Sequence, residues 1–185
     1  MAVCAALTGC GYSRSPVGSV NAPVPRAGLL ALGFPKAGIA FRFPSNWTRS
    51  VSHQPVNHVP LVATISSGPV VIALWRYPRS LAPPVGRLAL SDERASLISA
   101  ARARDPSIRL IRTRLTEIGG APTVVLDAFE RIAGHLRRVR SLHMFVPGGE
   151  IVLEEYAPPS QFRAVDHDVF SPLNHSINLR RSEGQ

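Results

Sequence analysis

The stretch that decides the fold runs from Ile108 to Tyr156: IRLIRTRLTEIGGAPTVVLDAFERIAGHLRRVRSLHMFVPGGEIVLEEY. Three short glycine-bearing links, Gly119-Gly120, Ala133-Gly134-His135 and Pro147-Gly148-Gly149, divide it into four extended runs. These are 108–118, 122–131, 136–146 and 150–156. Links of two or three residues containing glycine between β-branched, alternating runs are hairpin signals, because such tight turns need a positive φ that glycine adopts without steric cost. Four consecutive strands joined in this way make an antiparallel meander.

Working outward, the residues before the meander supply more strands and one helix. Ile39, Phe41 and Phe43 alternate with small or charged residues, the period of a half-buried strand, and Pro44-Ser45-Asn46 ends it in a turn ahead of Trp47. Leu61 to Ser66 reads as a second strand, and Val70 to Trp75, apolar on both faces, as a central one. A helix is predicted from Ser91 to about Arg104, with Ser91 as N-cap and Asp92 and Glu93 in its first turn. Its buried stripe is Ala95, Leu97, Ile98 and Ala101. After the meander a last helix starts near Pro159 with Phe162, Val165 and Val169 at helical spacing, and Pro172 is expected to break or kink it. Leu173 and Ile177 close the domain. The fold class is therefore α+β: an antiparallel sheet meander flanked by helices, an α/β/α sandwich.

The order of elements resembles the PsbP superfamily, whose members include the extrinsic protein of photosystem II, a Ran-binding nuclear import factor and many bacterial lipoproteins. Three passages carry the resemblance. They are Ala37 to Trp47 (AGIAFRFPSNW), Glu117 to Pro122 (EIGGAP), and Ala157-Pro158-Pro159 through Phe162 to Phe170 and Ser176-Ile177. The likeness spans residues 37–180. It implies a binding or assembly module rather than an enzyme.

The N-terminal region speaks to location. Leu7-Thr8-Gly9-Cys10 resembles a bacterial lipobox, in which the thiol of the cysteine receives a diacylglyceryl group and becomes the mature N-terminus. Residues 1–9 read as a truncated signal peptide, since no Lys or Arg precedes the motif and the apolar run is shorter than an h-region. Residues 10–35, rich in Gly, Ser and Pro, read as a flexible tether. The globular domain spans 36–180 and residues 181–185 form a tail. Both cysteines, Cys4 and Cys10, lie in this leader, which leaves the folded domain without a thiol nucleophile or a Cys-based zinc site. The expected localisation is the outer face of the cell membrane, lipid-anchored through Cys10, with an unknown protein or envelope partner. No run of ~20 apolar residues is present to span a bilayer.

Charge says less. The formal net charge is +9, and all but one of the 21 basic residues are arginine, the exception being Lys36. Nucleic acid is not an expected partner: aromatic residues amount to only 6% and lie in apolar runs rather than between basic residues. Arg112 and Arg114 share one strand face, as do Arg138 and Arg140 on another. Together they form a possible patch for an anion or a headgroup phosphate. The alternative, and preferred, reading is an exposed face partly neutralised by Glu117, Asp127 and Glu130.

Asp166-His167-Asp168 with His175 allows a metal reading, set against a solvated helix face. No metal and no cofactor is expected. His53 and His58 fall in a polar loop, and His143 is expected to be a packed or hydrogen-bonded residue of the sheet. No catalytic residue is assigned, because none of the nucleophile, phosphate-loop, dinucleotide or metalloprotease motifs occurs. The function expected is a lipid-anchored extracytoplasmic binding or assembly module, or alternatively a small-molecule or anion carrier with a pocket between sheet and helix.

Overall fold

The computed structural model describes residues 28–51 and 61–179. Cys4, Cys10, His53 and His58 lie outside the described residues, as do the expected signal segment and C-terminal tail. Ten strands are present: β1 (Leu29–Phe34), β2 (Ile39–Pro44), β3 (Thr48–Val51), β4 (Leu61–Ser67), β5 (Val70–Pro78), β6 (Arg109–Ile118), β7 (Ala121–Ile132), β8 (His135–Val146), β9 (Gly149–Ala157) and β10 (Asn178–Leu179). Helix α1 is Gly86–Arg104, and α2 (Pro159–Val165) and α3 (Ser171–His175) are joined by a π-helical segment, Asp166–Phe170.

Seven strands form one antiparallel sheet in the order β3-β4-β5-β9-β8-β7-β6. The meander β6–β9 lies there as sequential neighbours, and β5 docks on β9, which makes it the interior strand its two-sided apolar pattern requires. The sheet ends in β6, whose outer edge pairs with no other described strand. A second sheet, β1-β2-β10, is small.

Alternation along the strands divides the apolar residues between two faces. One face packs against α2, α3 and the small sheet, where Phe41, Phe162, Phe170, Leu142, Ile151 and Leu153 are fully buried. The other is covered by α1, with Leu90, Val124, Leu126 and Phe145 buried beneath it. The α/β/α layering expected from the sequence is therefore present.

Four details depart from the sequence reading. Residues 29–34, placed in the tether, form β1 and pair with β2 from Leu29↔Pro44 to Phe34↔Ile39, so the ordered domain begins before residue 36. Helix α1 starts at Gly86 rather than Ser91, and the Ser91 hydroxyl accepts a hydrogen bond from Arg94 Nη2 (2.9 Å) instead of capping. Its stripe is Leu90, Leu97, Ile98 and Ala101, with Ala95 exposed. Pro172 does not end the C-terminal helix. It occupies the first turn of α3, where its missing N–H is least costly, and the π segment just before it takes up the change in pitch.

Two turns show why the meander links are small. Gly119 has φ +59°, and a Cβ there would lie 3.0 Å from the Leu179 side chain of β10, so both conformation and space disfavour a larger residue. Ala133 carries a positive φ of 50°, the one described non-glycine residue to do so.

Candidate functional site

Strand register builds a row of charges across the C-terminal-helix face of the sheet. Arg112 of β6 lies opposite Asp127 of β7, Asp127 opposite Arg140 of β8, and Arg140 opposite Glu155 of β9. Directly opposed residues point to the same face, so cross-strand attraction acts along the whole row. Arg112 Nε donates to Asp127 Oδ2 at 2.6 Å and Arg140 Nε to Asp127 Oδ1 at 3.1 Å. Asp166, at the start of the π segment, closes the row from above. Both its carboxylate oxygens accept from the two terminal nitrogens of Arg140, a bidentate pair, and Oδ1 also accepts from the Ser171 hydroxyl at 3.0 Å.

This arrangement corrects the expected basic patch at one of its members. The four arginines do share a face, but Arg140 is only 4% exposed and its guanidinium is occupied by Asp127 and Asp166, with Glu155 beside it. It is a counter-ion for the protein's own carboxylates. Arg138 stacks over the Phe162 ring, 4.5 Å from its centroid, and Arg140 lies 5.4 Å from the same ring. Arg112 divides its side chain between Asp127 and solvent, and Arg114 is exposed. Sequence reasoning found the arginine faces but missed Glu155 and Asp166, which reach the row through long-range register and helix phase. Glu117 is exposed and takes no part, while Glu130 faces the opposite side of the sheet.

Burial dominates the protonation of Glu155: it pushes the carboxyl up to about 8, with Arg140 pulling the other way and Asp166 reinforcing the rise. Neither carboxyl oxygen has a hydrogen-bond partner within ordinary distance; the Asn174 side chain stands near enough to oppose the rise, and the Arg140 Nη1 atom lies 3.7 Å away. Protonated Glu155 leaves Arg112 and Arg140 balanced by Asp127 and Asp166. Asp166 moves the other way: burial alone raises it, but the Arg140 hydrogen bonds and charge hold it below the usual carboxylate range.

The residues of the metal reading do not converge. His167 Nδ1 is 2.7 Å from Asp168 Oδ1 on the exposed side of the π segment, His175 Nδ1 is 2.6 Å from the Ser171 carbonyl, and Asp166 belongs to Arg140. Among the described residues no group of three or more His, Cys, Asp and Glu side chains is placed to hold a metal ion.

A cleft occupies the opposite face, beneath α1. It has a volume of about 260 Å³. Leu97, Ala101, Ile108, Leu110, Leu126 and Ala128 form its walls, and Glu130, Ser141, His143 and Glu154 enter it from the sheet, with Arg104 contributed by the helix. A bulge in β6 makes room for this double use of one strand. The register slips between Leu110 and Arg112, leaving Ile111 as the extra residue, so Leu110 faces the cleft while Arg112 faces the charge row.

Glu154 and Glu155 are separated likewise by the pleat: Glu154 accepts from Trp75 Nε1 at 3.2 Å on the cleft side. His143 is hydrogen-bonded to Glu150 at 2.6 Å, the second of the two roles the sequence left open for it. Burial raises the Glu130 carboxyl, Arg104 opposes the shift, and Glu154 adds to it.

Among the described residues no helix is long and apolar enough to cross a membrane. No family model and no curated protein sequence matches the chain. The fold is similar to the solution structure of cyanobacterial PsbP from Synechocystis sp. PCC 6803, with a TM-score of 0.61 and 14% identity, over 89% of this chain and 99% of that one. A looser similarity, TM-score 0.49 at 14% identity, covers 84% of this chain and 92% of LpqN from Mycobacterium tuberculosis, which is involved in cell envelope biogenesis. At such identity it is the PsbP-like fold that is shared, and a shared fold does not transmit an activity.

Proposed function

We propose that this protein is a non-catalytic binding module working at the outer face of a membrane, held there by lipid on Cys10 and engaging an envelope partner. The observation that carries the non-catalytic part of this reading is the commitment of the buried charges to the fold itself. Arg140, Asp127 and Asp166 satisfy one another inside the sheet–helix interface. The lipobox-like Leu7-Thr8-Gly9-Cys10 supports the anchor, and the Pro- and Gly-rich chain after it supplies the reach that a tethered domain needs.

The test is metabolic labelling with a clickable fatty acid, comparing the wild-type chain behind a complete signal sequence with Cys10→Ser. Label on the wild type alone, together with recovery in the membrane fraction, is the expected result. An unlabelled wild-type protein would remove both anchor and localisation.

A second reading, a carrier for a small molecule, is favoured by the cleft under α1, whose apolar walls and few inward polar groups are the ordinary makings of a ligand site.

A further inference from the structure

The arginines gather at one end of the large sheet, which deepens the membrane part of the reading above, and the inference that follows rests on that reading. We infer that this end, where the chain leading from Cys10 enters the fold, lies on an anionic lipid surface. Arg102, Arg104, Arg109, Arg131 and Arg137 meet headgroup phosphates there, and Leu136 enters between the headgroups.

Strand register defines the end. Arg109 of β6 lies opposite Phe129 of β7, and Phe129 opposite Arg138 of β8. The line continues, within one residue, through Tyr156, Val71 and Ser66 to Thr48 of β3. Just before Thr48, the Ser45 amide donates to the Gly28 carbonyl at 2.9 Å, so the described chain starts at this same end. A domain tethered ahead of Gly28 has this end nearest its anchor.

The arginines stand on both sides of the sheet, and only its end is common to them. Arg137 lies opposite Glu130 on the α1 side, where Arg104 Nη2 is 3.9 Å from Glu130 and Arg102 shares the last turn of α1. Arg109 and Arg131 alternate to the other side. Four of the five are exposed and Arg137 is half-buried. A plane laid across the strand ends meets all of them, which a pocket-sized anion does not. The described carboxylates at this end are Asp105, which accepts from Ser107, and Glu130. At the opposite end both signs mix among the described residues: Arg79 is paired with Glu93, and exposed Arg87 stands with exposed Asp92 and Glu117.

Leu136 is the independent sign that the anionic surface is lipid. It is 48% exposed and lies opposite Arg131 in the β7–β8 hairpin, which projects past the neighbouring strands β6 and β9. An aliphatic side chain between arginines suits the membrane interface, where hydrocarbon enters the headgroup–acyl boundary while the cations stay at phosphate level. Each arginine held near an anionic leaflet contributes about fivefold to partitioning.

The test is sedimentation of the full chain carrying Cys10→Ser, which takes no lipid, with two kinds of vesicle. One is phosphatidylcholine alone, and the other is phosphatidylcholine mixed about equally with phosphatidylglycerol. Binding to the anionic vesicles only, falling as salt is raised, is expected. Arg131→Gln with Arg137→Gln should weaken it at least about tenfold. Arg87→Gln with Arg114→Gln, the same change of charge elsewhere, should change it by less than about twofold, every variant keeping the parent's circular dichroism. Leu136→Ala should weaken binding severalfold, and no change would take Leu136 out of the contact. Equal binding to neutral vesicles would overturn the proposal. Equal weakening by the two pairs would mean diffuse attraction and would overturn it as well. No binding to either vesicle would overturn it and leave this end to an acidic protein. Fatty-acid labelling reads the anchor separately: an unlabelled wild type removes the anchor while vesicle binding by the Cys10→Ser chain stands, and the reverse result removes this contact alone.

Discussion

Arg140 and Glu155 face each other across the β8–β9 pair with Nη1 and Oε2 3.7 Å apart, close enough for strong attraction yet without a hydrogen bond. A buried carboxyl in that position stays protonated up to about 8, whereas the same group in the unfolded chain ionises near 4.3. The folded state therefore binds the extra proton between these values. Stability from this group is fully present below the unfolded value and is lost progressively as pH rises towards about 8.

The expected consequence is that Glu155→Gln gains on the wild type as pH rises. Urea midpoints should be similar at pH 5, and the variant should be more stable by about 1–3 kcal/mol at pH 9. An equal difference at both pH values would show that Glu155 is already ionised in the fold at pH 5.

Arg140→Met leaves Asp127, Glu155 and Asp166 without their shared cation. Removing one partner of a buried ionic network costs about 3–5 kcal/mol, so thermal unfolding should move down by many degrees. Arg140→Lys should recover only part of the loss, because one ammonium cannot reproduce the bidentate contact to Asp166 together with the Nε contact to Asp127. Calorimetry of the two variants side by side checks both statements.

Phe162 is fully buried, stands 5.6 Å from Phe170, and carries Arg138 and Arg140 on its ring. Phe162→Ala should cost about 3–5 kcal/mol. Phe162→Leu, which keeps most of the volume but removes the ring face, should cost less. Denaturant unfolding of the pair separates the cavity contribution from the cation–π contribution.

Ala133 holds a positive φ that a residue with a Cβ adopts reluctantly, in a two-residue hairpin link. Ala133→Asn should stabilise the protein by roughly 0.5–1 kcal/mol, since asparagine tolerates this region and favours this turn type. A higher midpoint with an unchanged denaturant slope is the expected readout.

Legibility in the sequence follows the range of the interactions. The meander was readable because its hairpins are local: glycine-bearing turns between alternating runs specify both neighbour and register. The start of α1 was misread because Ser91 followed by Asp92 and Glu93 looks like a cap, yet the helix already begins at Gly86 after Val85. Strand β1 was hidden because Leu29 and Leu30 follow directly on Gly- and Pro-rich chain and both are exposed, so no alternation marks them.

At the candidate sites, the arginine faces could be read from their two-residue spacing. Their partners could not, because Asp166 depends on the phase of a helix with a π segment and Glu155 on long-range pairing. The pair Glu154-Glu155 did carry a signal, since neighbouring strand residues must part to opposite faces.

Strand β6 gives the arginine excess a colloidal role. Its ten residues form the outer rim of the large sheet, and a rim of that length with no neighbour among the described strands is a template on which further copies of a chain can stack. Arg109, Arg112 and Arg114 along it make a second copy of the same rim an unwelcome neighbour through like-charge repulsion. Crowding many copies together would otherwise favour polymers growing rim to rim. That protection is electrostatic, so it weakens as added salt shortens the ~10 Å screening length of 0.1 M solutions, and neutralising the three arginines should lower the salt concentration at which the protein begins to associate.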